Sequence, residues 1–189
     1  MQSVQSFRPA DLFLAKEVET IFDEMNLRGD RGIVDVRKWI REGLIRPAGI
    51  LGRPSKTAAH LFSPVGIFTA AVLLSLRDLG IDERAVLGEV VATFERDLGG
   101  ETQIERIWHA VTGPLREGWL LRVDVVRPEP GERLIAVHVY TADTPNAFVP
   151  EIPIGRYSGS ITLDLSHVAE NVEAGIAKVL AAASVERED

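Results

Sequence analysis

The segment Val36–Pro47, "VRKWIREGLIRP", carries four cationic side chains in twelve residues of a chain whose net charge is −7. Its reading decides the fold. Val36, Trp39 and Ile40 fall on one side of a helix, Arg37, Lys38 and Arg41 fall elsewhere on its circumference, and Gly43 supplies a stop. The spacing predicts a short helix over 34–42 with a cationic outer surface. Between Arg31 and His60 seven basic residues (Arg31, Arg37, Lys38, Arg41, Arg46, Arg53, Lys56) face two acids (Asp35, Glu42), a local balance of +5, so the remainder of the 189 residues sums to −12. A basic island in an acidic chain suits a phosphate-binding face, because the acidic remainder weakens non-specific association and the local field selects the docking side. The competing reading is a solvated helix face with a polar loop.

Working outward, Leu14, Val18, Ile21, Phe22 and Met25 predict a first helix over 11–27, with Asp11 as N-cap and Gly29 ending the pattern. After the basic helix, Pro47, Gly49, Gly52 and Pro54 break helical periodicity. Flanked by Leu44–Ile45 and Leu61–Phe62, this stretch reads as a hairpin with a long basic tip. Ser63 caps a third helix with Pro64 in its first position and Gly80 just past its end, and Val65, Phe68, Val72, Leu76 and Leu79 form its stripe. Asp82 is the expected cap of a fourth helix carrying Val86, Val90, Phe94 and Leu98. A boundary is placed at Gly99–Gly100.

In the second half, Ile104, Ile107, Trp108 and Val111 give a short helix ended by Gly113–Pro114. "WLLRVDVV" and "RLIAVHVY" read as two strands of a hairpin joined through "RPEPGE". Residues from Asp143 to Arg156 contain three prolines and form a long irregular connection. A strand near Ser158–Leu163 leads to a final amphipathic helix with Leu165, Val168, Val172, Ile176 and Val179 on one side. The predicted fold class is α+β: residues 1–98 form a winged helix-turn-helix, residues 101–184 a small α+β module with an antiparallel hairpin and a C-terminal amphipathic helix, and residues 185–189 a polar tail.

Helix, basic helix and cationic hairpin follow one another in the order of a winged helix-turn-helix, in which one helix enters the major groove and the wing reaches the neighbouring backbone. "DVRKWIREGLIRP" resembles the second helix of the MerR-type regulators, T-L-R-Y-Y-E-R-E-G-L-L-x-P. "HLFSPVGIFTAAVLLSLRDLGI" is similar to that family's continuation, R-x-Y-S-x-x-D-L-x-x-L-x-x-I-x-x-L-R-x-L-G-F. Arg37, Trp39, Arg41, Glu42, Gly43, Leu44, Pro47, Ser63, Arg77, Leu79 and Gly80 carry the match, which covers roughly residues 33 to 90. The resemblance implies a homodimer on a palindrome-like DNA operator, with Arg37 where the family presents its DNA-contacting arginine. Lys38 and Trp39 replace the family's two tyrosines, and Ala58–Ala59–His60 stand where its wing has Gly-Tyr-Arg. Backbone contacts of the longer wing then pass to Arg53 and Lys56. The second half departs from the family, which continues into one long dimerisation helix.

The expected function is thus sequence-specific DNA binding by a transcription regulator, with Arg37, Lys38, Arg41, Arg46, Arg53, Lys56 and His60 as the DNA-binding residues. Alternatives are a non-catalytic protein-interaction adaptor on the same fold and an excisionase-like architectural DNA binder. The C-terminal module is read either as a dimerisation and sensing module for a small-molecule or protein effector, the sheet and the helix from Leu165 to Leu180 enclosing an apolar pocket, or as a protein-interaction surface alone; the competing reading is a second small core with no ligand.

Other signals do not support catalysis, a metal or a cofactor. "GRPSKT" lacks the glycine of a phosphate-binding loop before Lys56, and no buried strand precedes it. "GRYSGS" places its serine one position late for a nucleophile elbow. His60, His109, His138 and His167 share no i, i+4 spacing. With no cysteine, neither disulfides nor thiolate metal sites arise, and with no leader and no apolar run of about 18 residues a cytoplasmic protein without membrane contact is expected.

Overall fold

The computed structural model describes residues 11–27, 29–51, 59–127, 133–143 and 156–185. Among them the chain is α+β, with six helices and two three-stranded antiparallel sheets. They belong to two compact units, one made of residues 1–74 and 171–189, the other of residues 75–170.

The first unit begins with β1 (Phe13–Leu14), α1 (Ala15–Glu24) and α2 (Gly29–Arg41). The first helix is shorter than 11–27, and Asp11 is not its cap. Phe13 and Leu14 are instead extended and pair with Phe62 and Leu61, which buries Phe13 to 1% exposure. The helix then starts after Leu14, whose backbone N–H donates to the Glu17 carboxylate at 2.6 Å. Val18, Ile21 and Phe22 are buried as their spacing predicts.

Gly29 opens α2 rather than closing α1. Close packing explains the glycine-rich start: a Cβ at Gly32 would lie 3.3 Å from Phe22 Cδ2, so the first turns of α2 sit hard against α1. The chain reverses between the helices at Asn26, one of the residue types that tolerates its φ of 54°. At the other end Gly43, with φ of 75°, stops α2 as expected. Its N–H donates to the Ile40 carbonyl at 3.1 Å, and the Leu44 N–H donates to the Trp39 carbonyl at 2.8 Å. That is the Schellman pattern, and the buried Leu44 and Trp39 supply its usual hydrophobic contact.

Leu44 and Ile45 are therefore buried in a turn and not in a strand. The hairpin is β2 (Gly49–Leu51) with β3 (Ala59–Phe62), in register Gly49↔Leu61, Ile50↔His60 and Leu51↔Ala59. Sheet order is β1-β3-β2. Its tip, with Arg53 and Lys56, lies outside the described residues.

Ser63 and Pro64 start α3 (Pro64–Asp78) as predicted, the Gly66 N–H donating to Ser63 Oγ at 3.1 Å. Gly80 ends it with the same pair of bonds as Gly43, to Arg77 and Leu76. Phe68 and Val72 are buried in the first unit, where Ile67, Ala70, Ala71, Leu73 and Leu74 are buried too, so this helix is sunk over most of its circumference. Leu79, expected in the stripe, is 52% exposed in the closing turn. Residues 171–185 complete the first unit. A Cβ on Gly175 would come within 2.8 Å of Ile21 Cγ2, and Lys178 pairs with Glu24.

The second unit holds α4 (Arg84–Phe94), α5 (Gln103–Thr112), β4 (Trp119–Arg127), β5 (Leu134–Thr141), β6 (Arg156–Asp164) and the start of α6 (Leu165–Val185). Glu83, not Asp82, occupies the N-cap of α4, and Glu83 is paired with Arg133. The helix ends at Phe94, before Leu98, which is 42% exposed. Gly99 and Gly100 form a tight turn: Asp97 Oδ1 accepts both of their N–H groups, and Asp97 bridges to Thr102. The predicted division at 98–101 lies inside this unit, within which β5 packs on α4.

Thr102 caps α5 with a reciprocal box to Glu105. The two strands expected from "WLLRVDVV" and "RLIAVHVY" pair from Trp119↔Thr141 to Val126↔Leu134, and β6 adds to the other side of β4, giving the order β5-β4-β6. Asp164 caps α6 by accepting from the N–H groups of Ser166 and His167. On that helix Leu165, Val168 and Val172 are buried, whereas Ile176 and Val179 are half-buried. The irregular connection predicted between Asp143 and Arg156 falls almost wholly outside the described residues, as does the polar tail after Val185.

Candidate nucleic-acid interface

The rotation of α2 is fixed by what it buries. Ile33, Val36 and Trp39 are 3%, 0% and 3% exposed, and at about 100° per residue they occupy one arc of the helix. The opposite arc carries Arg37, Lys38 and Arg41, all exposed, within a span of about 100°. Trp39 is a core residue that sets this orientation, as its place in the pattern predicts. The acids of the same segment, Asp35 and Glu42, are half-buried, so the outward surface is more cationic than the sequence count alone conveys.

Lys38 Nζ lies 3.9 Å from Glu42 Oε1, an i,i+4 pair with the lysine 57% exposed. Contacts of this kind are weak in water and do not hold the ammonium against a stronger anion. Lys38 and Arg41 also lie in the last turn of α2, where the helix carbonyls favour positive charge. Arg46 is exposed just beyond the Gly43 turn. His60 is half-buried on β3, directly across from Ile50 of β2. Of the seven expected residues, the structure places three on one helical arc, one after the adjoining turn and one on the hairpin; Arg53 and Lys56 lie outside the described residues.

Two features escaped the sequence reading. Val34 is 56% exposed in the middle of the cationic arc of α2. Its helical phase, between those of Arg41 and Lys38, was the available signal. The second is a charge cluster on β4. Asp124 is fully buried, Arg122 donates through Nε to its Oδ1 at 3.0 Å, and His138 Nε2 lies 3.9 Å from its Oδ2. Strand alternation places Arg122 and Asp124 on one face, and the register sets His138 directly opposite Arg122. The alternation was legible; the burial was not.

Among the described residues no group of three His, Asp or Glu side chains is arranged to hold a metal ion, and no helix is long and apolar enough to cross a membrane. A groove of about 370 Å³ runs between α1 and the C-terminal part of α6, lined by Lys16, Thr20, Glu24, Lys178, Val179 and Ala182. It is an open groove with charged walls. No protein-family model matches the chain, and no curated protein matches it either.

Proposed function

We propose that the protein is a sequence-specific, DNA-binding transcription regulator that acts as a homodimer in the cytoplasm, with α2 in the major groove and the β2–β3 hairpin against the neighbouring backbone. The observation that carries this reading is the segregation on α2: Arg37, Lys38 and Arg41 project from the arc opposite Ile33, Val36 and Trp39. The succession α1, α2, Schellman turn, β2, β3, with β1 paired to β3, supports it, because a winged helix uses the same order to present one helix and one hairpin to a duplex.

The chemistry is electrostatic first. Lys38, Arg41 and Arg46 neutralise phosphates and release condensed counterions, which sets register and supplies most of the affinity. Arg37 offers the planar fork that matches the O6 and N7 acceptors of guanine in the major groove. The acidic remainder of the chain repels phosphate and so restricts docking to this face.

A gel shift of the full chain on random-sequence duplexes at 50 and 200 mM salt tests the reading. About five phosphate contacts per protomer, about ten for the homodimer, should reduce affinity roughly 10⁵-fold between the two conditions. Arg37→Ala should lose about 1–3 kcal/mol on the preferred site and relax selectivity at one base pair. A shift that is absent, or indifferent to salt, overturns the proposal.

A further inference from the structure

In the first unit the large hydrophobic side chains left exposed, among the described residues, are Val34, Ile50 and Leu180, at 56%, 51% and 47%. Val34 is set apart by its neighbours. On the helical surface Arg37 and Lys38 are its i+3 and i+4 neighbours, so the valine has positive charge on its C-terminal side. An apolar group there does nothing for the core, which α2 reaches with its opposite arc. It is also the sixth of the helix's thirteen residues, one turn before Arg37.

Resting on the DNA-binding reading, we infer that Val34 reads the C5-methyl group of a thymine in the major groove, next to the base pair addressed by Arg37. The argument is one of complementarity. Cations select a polyanion, and among the groups a duplex displays at its major-groove edges the thymine methyl is the apolar one. Valine suits the role because its branched Cβ restricts χ1, so its methyl groups are presented with little freedom to lose. The spacing also fits. Three residues along a helix rise roughly 4.5 Å, little more than the roughly 3.4 Å between successive bases of one strand. A thymine read by Val34 and a guanine read by Arg37 are then adjacent or nearly so, and the preferred half-site contains that T–G neighbourhood.

The test begins with selection of the tightest duplex from a random pool by the full chain. Each thymine of the selected site is then replaced by deoxyuridine, which removes only the methyl group. At one thymine beside a guanine the wild-type protein should bind about fourfold more weakly after replacement, the effect of one methyl group returned to water. Val34→Ala should bind the thymine and deoxyuridine duplexes equally, with an unchanged melting temperature because the side chain is exposed. Equal deoxyuridine penalties for wild type and Val34→Ala would assign methyl reading to another residue and overturn the inference while DNA binding stands. Salt-sensitive binding with no dependence on any thymine methyl overturns it as well. Absence of salt-sensitive binding removes the underlying DNA-binding reading together with it.

Discussion

Lys38–Glu42 and Arg122–Asp124 join the same kinds of charge in the two units, and they differ in their distance from water. The first pair lies 3.9 Å apart with its lysine 57% exposed, on the outward side of a helix. The second is bonded at 3.0 Å around a carboxylate with no exposure, on a sheet. In water the first attraction is screened and the ammonium can exchange its partner for a phosphate. In the interior an unaccompanied carboxylate is expensive, so the second arginine is committed to the fold. Cationic residues thus sit in two settings in one chain, and burial rather than sequence density separates them.

The sharpest way to break this contrast is Asp124→Ala, which removes the buried partner of Arg122. Stability measured by urea unfolding should fall by about 3 kcal/mol, the lower end for a broken buried pair because Arg122 is itself 24% exposed and can recruit water. Affinity for DNA should stay within about twofold wherever the variant is folded. An unchanged unfolding midpoint would place this pair with the surface pairs and erase the distinction.

An intermediate case sharpens it. Glu105 accepts from the Thr102 hydroxyl and from its backbone N–H, and these two bonds, in that order, hold its carboxyl below the ordinary value of 4.5. A lowered carboxylate pKa stabilises the folded state above the unfolded value and loses that contribution as pH falls through the lower folded value. Thr102→Ala should therefore cost about 1 kcal/mol near neutrality and flatten the acid limb of thermal stability against pH below 4.5. An acid limb as steep as that of the wild type would show that the capping box is not its source.

The smallest effect is expected at the exposed pair. Glu42→Gln should alter stability by less than about 0.5 kcal/mol, yet tighten DNA binding at low salt, because one anion beside the phosphate path has gone. Weaker binding by this variant would mean that Glu42 orients Lys38 for its contact.

Much of this arrangement is legible in the sequence where local chemistry decides. Gly43, Gly80 and the Ser63–Pro64 pair mark helix ends that the backbone respects, and alternation in "WLLRVDVV" and "RLIAVHVY" gives the second sheet nearly to the residue. What escaped depends on partners distant along the chain. Phe13 and Leu14 become a strand only because Leu61 and Phe62 are there to pair with them. Gly29 reads as a stop, whereas the close approach of Gly32 to Phe22 makes the glycine-rich segment a helix start. Leu79 and Leu98 are apolar at the right phase but fall past the last residue that their helices bury. In the candidate interface the arginines are legible by charge, whereas Val34 carries no charge to mark it and shows only by its helical phase between Arg41 and Lys38.

Residues 171–185 return to pack on α1, with Gly175 fitted against Ile21, so the unit that presents the basic helix is assembled from both ends of the described chain. During synthesis the hairpin emerges from the ribosome more than a hundred residues before the segment that seals its core, a lag of roughly 5–20 s at ordinary elongation rates. Nascent chains consequently pass through a stage in which α1 has an uncovered flank, and the unit is completed only when residues 171–185 pack against it.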